Sequence, residues 1–257
     1  QLMRLAQCFG RGGTWGGGIL MAYENVPENK RSFYAAIPQI GLPIGFGLSS
    51  ILIAVPTLLL PEDIFFTWGW RIPFLAAIIL TLIVIRQKGE MMETEDYKKA
   101  QAKLEAEEAE GKKHKVGFIP MVKGYWKTLL LGCGTRWVDG TFYNIFIVWI
   151  LSYCINWLGM PLIQTYIITI IACIFKIPFT LFGGWCAQKL GNTRTFVIGA
   201  LASAVLSIPT LKVIELSKGN LAITIIGIVL GWSIAYNLIW AVISSLWSSY
   251  FETEVRY

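Results

Sequence analysis

The sequence contains little charge for its length. Charged residues make up 15% of the 257 residues, apolar residues make up 55%, and the mean hydropathy is +0.57. A soluble domain normally has about a quarter of its residues charged, so this composition excludes an ordinary soluble protein. The net charge of +6 would indicate a nucleic-acid partner in a soluble protein. In a membrane protein it is better explained by basic loops that face the cytoplasm, and we expect no nucleic-acid partner.

The sequence also lacks the residue clusters that enzymes and metal sites require. Its five cysteines have neither paired nor metal-ligand spacing, and they lie inside apolar stretches, where a small packing role is expected. A membrane-embedded enzyme would need His, Asp, Ser or Cys side chains clustered at an interface. We therefore predict that the chain is not an enzyme and has no catalytic residues, bound metal or cofactor. The cysteines are Cys8, Cys133, Cys154, Cys173 and Cys186.

Long apolar runs dominate what the sequence does contain. A bilayer core about 30 Å thick requires roughly 20 helical residues per crossing, and the chain has about seven runs of that length. Only helices and closed barrels satisfy their backbone inside lipid, and these runs are too continuously apolar for barrel strands. The sequence therefore predicts an all-α, polytopic transmembrane bundle. Its spans are expected near residues 1–22, 33–60, 70–87, 127–158, 161–186, 195–215 and 221–250.

One polar segment interrupts the apolar runs. Residues 88–122 are rich in Glu, Lys and Ala and contain the only histidine, His114. We interpret this segment as a solvated loop with some helix that joins two membrane bundles. The predicted division is three helices in residues 1–87, a central loop in 88–122, and four helices in 123–257. Because the chain begins and stops close to apolar runs, we expect each bundle to be incomplete.

The distribution of basic residues predicts the orientation of the chain. Loops on the same side as residues 88–122 are rich in Lys and Arg, whereas the opposite loops contain little beyond Arg71 and Lys218. The positive-inside rule therefore places the central loop in the cytoplasm. The basic residues on that side are Lys30, Arg31, Lys189, Arg194 and Arg256.

A few charged residues lie within the apolar runs, namely Arg4, Arg11, Arg136, Asp139 and Lys176. Each costs about 2.5 kcal/mol or more on insertion scales, so each normally faces the bundle interior or a water-filled cavity. Arg4 and Arg11 are seven residues apart and share one helix face, about 10 Å from each other. Four cations accompany one carboxylate, and this balance favours an anionic substrate such as an organic carboxylate.

Two interpretations apply to the charges of the later spans. Arg136 and Asp139 have i, i+3 spacing and can pair. The pair either offsets its own cost of burial or takes part in substrate binding or proton coupling. Lys176 has no partner on its own helix, which makes it a candidate anion ligand unless it snorkels to the interface or meets a carboxylate from another span. Tyr236 lies within a span near two tryptophans and either lines a cavity or packs against helices and lipid.

Several motifs carry a resemblance to a known family. The chain resembles the metabolite:proton symporter family of the major facilitator superfamily, which includes proline/betaine, shikimate, citrate and α-ketoglutarate permeases. The resemblance runs from about the fourth to the tenth helix of a twelve-helix protein. Its motifs are RxxQxFGxGGTWGG at residues 4–17, RSFY at 31–34, PQIG at 38–41 and WGWRIPF at 68–74, with weaker similarity at Arg136-x-x-Asp139, Tyr143 and residues 255–257.

The resemblance implies a partial major facilitator fold that works by alternating access between two half-bundles. The expected function is secondary active transport of a small organic anion or zwitterion across the cell membrane, with protons and the lipid bilayer as the other partners. Proton symport requires a protonatable group that is linked to substrate occupancy, and we assign Asp139 to that role. The predicted substrate-binding residues are Arg4, Arg11, Arg136, Lys176 and Tyr236.

The chain departs from the family pattern at two motifs. Thr14 occupies the position where the family usually has Glu, which leaves Asp139 as the only carboxylate expected within the spans. In the cytoplasmic motif that begins at Gly184, an acidic residue is replaced by Gln188. These departures favour two alternatives, an uncoupled facilitator or exchanger of the same fold and a transporter-like sensor. The predicted cytoplasmic gate consists of Gln188, Lys189, Arg194 and Arg256.

Overall fold

The computed structural model describes residues 30–88 and 118–250 of the chain, with a few isolated positions before residue 30. The predicted span at 1–22, most of the central loop, and the site candidates Arg4, Arg11 and Arg256 lie outside the described residues. Every regular element within the described ranges is helical. The predicted all-α class is therefore confirmed for this part of the chain.

The helices before the central segment are interrupted by two short 3₁₀ turns. They are α1 (Arg31–Ala36), a 3₁₀ turn (Pro38–Ile40), α2 (Gly41–Leu59), α3 (Glu62–Thr67), a second 3₁₀ turn (Gly69–Arg71) and α4 (Ile72–Lys88).

The helices after the central segment include two π-helical stretches. They are α5 (Phe118–Tyr143), a π segment (Asn144–Trp149), α6 (Ile150–Asn156), α7 (Leu162–Leu190), α8 (Asn192–Leu216), α9 (Leu221–Ile228), a second π segment (Val229–Ala235) and α10 (Asn237–Tyr250).

Six stretches of the described ranges are long and apolar enough to cross a membrane. Each coincides with one of the predicted runs to within a few residues, because a continuous apolar run of this length is the strongest helix signal in a sequence. The stretches are Arg31–Leu59, Gly69–Arg86, Gly124–Asn156, Leu162–Leu190, Asn192–Leu216 and Leu221–Tyr250.

When each of the six stretches crosses the membrane once, consecutive spans run in opposite directions and their ends alternate between two faces of the bundle. The ends at Arg31, Lys88, Phe118, Leu190 and Tyr250 lie on one face. We call this the linker face, because the central segment joins two of these ends. The predicted cytoplasmic location of the loop would make the linker face cytoplasmic.

Helix α7 is at the centre of the packing, and small residues let its neighbours approach closely. A Cβ built on Gly184 would lie 2.7 Å from the Cβ of Ala36 in α1, and one built on Gly183 would lie 2.7 Å from the Cβ of Ala241 in α10. Close contact through small residues is how helices associate in a bilayer, where no hydrophobic drive exists between them. Helices from both sides of the central segment therefore meet on α7.

Candidate functional site

Asp139 lies inside the third described span and is only 2% exposed. One carboxylate oxygen accepts a hydrogen bond of 2.6 Å from the Tyr236 hydroxyl, and the other accepts one from the Arg136 guanidinium. The predicted i, i+3 pair is therefore present, and Tyr236 joins it from 97 residues further along the chain. Hydrogen bonds to an ionised carboxylate are roughly twice as strong as neutral ones, so this contact ties α5 to the last span.

Lys176 is completely buried in the middle of α7. Its Nζ lies 4.3 Å from the ring centroid of Tyr236 and 4.6 Å from that of Trp232. These are cation–π distances. No described residue forms a hydrogen bond with this ammonium group, although its charge interacts with that of Asp139. Lys176, Asp139, Arg136, Tyr236 and Trp232 thus form one cluster, which we call the charged cluster.

The second π segment positions the two aromatic residues of the charged cluster. Trp232 lies within it and Tyr236 follows it directly. π-helical turns are rare and occur often at functional sites. Gly231 makes this packing possible, because a Cβ at this position would lie 2.5 Å from a ring atom of Phe146. A larger residue would displace the backbone that carries Trp232.

Two buried hydrogen bonds fix the last span against α7, one a turn before Lys176 and one at Lys176 itself. The Ser233 hydroxyl donates to the Ala172 carbonyl at 2.8 Å, and the Asn237 amide donates to the Lys176 carbonyl at 2.8 Å. Polar side chains in a bilayer form hydrogen bonds with neighbouring helices, because the lipid core offers no other partners. The register between the two spans is thereby set where Lys176 meets the aromatic rings.

Helix α2, which precedes the central segment, forms another wall of the site. The ring of Phe46 packs edge-on against Trp232 and Tyr143, with centroids 6.2 Å and 6.1 Å apart. Next to it, a Cβ built on Gly47 would lie 3.5 Å from the Cβ of Cys173. The charged cluster is therefore located where helices from both sides of the central segment meet.

The predicted gate residues lie at the linker face, but they differ in their surroundings. The side-chain oxygen of Gln188 is half-buried and accepts a hydrogen bond of 3.3 Å from the backbone N–H of Phe33 in α1. Lys189 is exposed and lies over the ring of Trp185, 4.2 Å from its centroid. Arg194 is exposed at the start of α8. Of these three, Gln188 forms a hydrogen bond with a described helix that precedes the central segment.

Sequence reasoning missed Gln39, which is 2% exposed in the 3₁₀ turn before α2. No described residue accepts a hydrogen bond from its side-chain nitrogen. The signal that could have found it is the same one that found the charges, a polar side chain within an apolar run. A buried amide without a partner costs roughly 1–3 kcal/mol, so a neutral amide within an apolar run is a signal of the same kind.

The expectation that Asp139 is the only carboxylate of the spans is wrong for the described residues. Glu215 lies in the last turn of α8, inside the fifth described span. Its side chain is 57% exposed and pairs with Lys212 at 2.8 Å. A carboxylate at a helix end can reach the polar interface without burial. Asp139 is nevertheless the buried carboxylate of the described spans.

The family of the chain follows from its match to a protein-family model. The model of the Major Facilitator Superfamily matches residues 1–256. The chain belongs to the Major Facilitator Superfamily. The predicted fold type is thereby confirmed, and with six apolar helices in its described part the chain is an integral membrane protein.

Relatives in this superfamily agree with the resemblance found in the motifs. The chain is 26% identical to the shikimate transporter of Escherichia coli, 27% identical to the inner membrane metabolite transport protein YhjE of the same bacterium, and 26% identical to its proline/betaine transporter. These alignments cover 99%, 100% and 100% of the chain, but only 57%, 57% and 51% of the relatives. Their names are those of transport proteins, which agrees with the prediction that the chain is not an enzyme. No solved structure matches the chain.

Proposed function

We propose that the protein is a secondary active transporter that moves a small organic anion or zwitterion across the cell membrane by proton symport. The observation that carries this proposal is the charged cluster, in which a buried carboxylate and a buried ammonium lie where two sets of helices meet. Ionisable groups inside a membrane normally mark substrate or proton pathways. The relatives named for shikimate and for proline/betaine transport carry substrates of these two chemical types.

Asp139 is the proposed proton carrier. Its two oxygens accept hydrogen bonds from Tyr236 and Arg136, so protonation would weaken the attachment of α5 to the last span. The charge of this carboxylate also acts on Lys176, the proposed anion ligand. Proton binding and substrate binding would thus be linked through one carboxylate, as symport requires.

The proposed cytoplasmic gate is the set of contacts at the linker face. Gln188 joins α1 there, and the Ser244 hydroxyl of α10 donates to the carbonyl of Ala35 at 3.2 Å. Lys189 and Arg194, with Arg256 further along the chain, complete the predicted gate. Because Lys176 and Tyr236 have no exposed surface, a substrate can reach them only when such contacts part, as in alternating access.

The direct test is uptake of labelled shikimate, proline and glycine betaine by the full-length protein in proteoliposomes, with and without an inward proton gradient. Accumulation that requires the gradient and is abolished in Asp139→Asn would support symport through Asp139. Gradient-driven accumulation that survives Asp139→Asn would move the proton site elsewhere. Absence of uptake under all conditions would contradict transport.

An uncoupled facilitator or exchanger is the second candidate. It is favoured by Thr14, which replaces the glutamate usual in the resembling family. In that case uptake would only equilibrate, would ignore the gradient and would persist in Asp139→Asn. Binding without any flux would instead favour a transporter-like sensor.

A further inference from the structure

The charged cluster offers hydrogen-bond donors that nothing in the described part of the chain satisfies. Lys176 Nζ and Trp232 Nε1 are both buried and have no partner among the described residues. The ammonium lies over the Trp232 ring, 4.6 Å from its centroid, and the indole N–H is at the edge of the same ring. A buried donor left unpaired costs about 1–3 kcal/mol, and more when it is charged. Two such donors in one place indicate a ligand that supplies acceptor oxygens.

The charges of the cluster do not balance. Arg136 and Lys176 contribute two positive charges and Asp139 contributes one negative charge, which leaves a surplus of one positive charge. Both oxygens of Asp139 are already engaged by Tyr236 and Arg136. Arg136 forms an ion pair with Asp139, whereas Lys176 has no hydrogen-bond partner among the described residues and no exposed surface. The uncompensated charge is therefore on Lys176, where a monoanionic group would neutralise it.

The aromatic surfaces next to this charge are already occupied. The Lys176 ammonium lies over the ring of Trp232 and over that of Tyr236. Recognition of a quaternary ammonium would need such ring faces to be free. A ligand cation placed here would instead meet the positive charge of Lys176. The aromatic pair therefore holds a cation that belongs to the protein.

From these three observations we infer that the substrate binds through a carboxylate held by Lys176 Nζ and Trp232 Nε1, and that this subsite excludes quaternary-ammonium groups. A carboxylate has two acceptor oxygens, one for each of these donors. The inference rests on the proposed function, and it narrows the substrate from an anion or zwitterion to a carboxylate without a cationic group beside it.

Binding to the purified full-length protein in detergent tests this inference without measuring flux. The probes are shikimate, citrate, 2-oxoglutarate, shikimate methyl ester, glycine betaine and choline, titrated by calorimetry. We expect at least one of the three acids to bind, about tenfold or more weaker binding of glycine betaine and of the methyl ester, and no binding of choline. Failure of all three acids to bind, or equal affinity for choline or the ester, would overturn the subsite.

Two variants locate the binding of the acid found in this way. Trp232→Phe keeps a ring next to Lys176 but removes the N–H, and we expect its affinity to fall about tenfold. Lys176→Gln removes the charge and should lower the affinity further. The matched control is Trp149→Phe, since Trp149 is exposed on the bundle surface. Unchanged affinity in both site variants would overturn the assignment of the subsite to Lys176 and Trp232. Binding without any flux would contradict the proposed transport function but would leave the carboxylate subsite standing.

Discussion

The indole N–H of Trp240 donates a hydrogen bond of 3.1 Å to the backbone carbonyl of Gln39, which lies 201 residues earlier in the chain. Both residues are buried, and they belong to helices on opposite sides of the central segment. The bond lies between the charged cluster and the linker face. It is therefore positioned to hold the two sets of helices together next to the site.

Trp240→Phe should destabilise the protein, because it removes this hydrogen bond and leaves the Gln39 carbonyl with one acceptor site unfilled. We expect a loss of about 1 kcal/mol in the free energy of unfolding, seen as a lower melting temperature in detergent. Trp232→Phe is the matched comparison, since the Trp232 N–H has no partner among the described residues. Equal destabilisation by the two substitutions would contradict the assigned role of the Trp240 bond.

A disulfide should lock the helices at the level of the charged cluster. The Cβ of a cysteine in place of Gly47 would lie 3.5 Å from the Cβ of Cys173, at the short end of the range for disulfides. Gly47→Cys should therefore crosslink to Cys173 under mild oxidation. If α2 and α7 must separate here during transport, uptake should stop on oxidation and recover with dithiothreitol.

Two controls accompany the crosslinking experiment. Gly45→Cys places a thiol on the exposed side of the same helix, where no atom lies within 4 Å of the added Cβ. This variant should form no crosslink under the same oxidation and should stay active. Cys173→Ser in the Gly47→Cys background should abolish the crosslink. Full uptake by the oxidised Gly47→Cys protein would show that these two helices do not part during the cycle.

The spans and the chemical types of the site residues could be predicted from the sequence, whereas their arrangement could not. The apolar runs predict helices because the bilayer allows few other structures, and Arg136–Asp139 is a local pair on one helix. The contact of Tyr236 with Asp139 joins residues from different spans, and no local pattern encodes it. No sequence pattern shows that the Trp232 N–H has no partner among the described residues, since hydrogen-bond satisfaction depends on the packing of other helices.

Tyr236→Phe tests the link between α5 and the last span. It removes the hydroxyl that donates to Asp139 at 2.6 Å but leaves the ring against Lys176. A hydrogen bond to a charged group contributes about 1.5–3 kcal/mol, so we expect a lower melting temperature in detergent. If Asp139 carries the proton, gradient-driven accumulation should also weaken, while carboxylate binding changes less than in Lys176→Gln. Wild-type stability and accumulation would argue against a role for this bond.

Gly231→Ala should damage the site through packing alone. The added methyl carbon would lie 2.5 Å from a ring atom of Phe146 and 2.9 Å from the Thr210 methyl group, and both neighbours are buried. Overpacking of this kind typically costs about 1–3 kcal/mol. The backbone shift should move Trp232 and lower carboxylate affinity as well as melting temperature.

Phe146→Leu in the same chain should restore part of both losses, because it withdraws the ring atoms that meet the new methyl group. Gly132→Ala in α5 is the control, since no atom lies within 4 Å of its added Cβ, and it should leave both measurements unchanged. If Gly231→Ala lowered affinity without lowering stability, or if Phe146→Leu gave no recovery, the close contact between the second π segment and Phe146 would not be what positions Trp232.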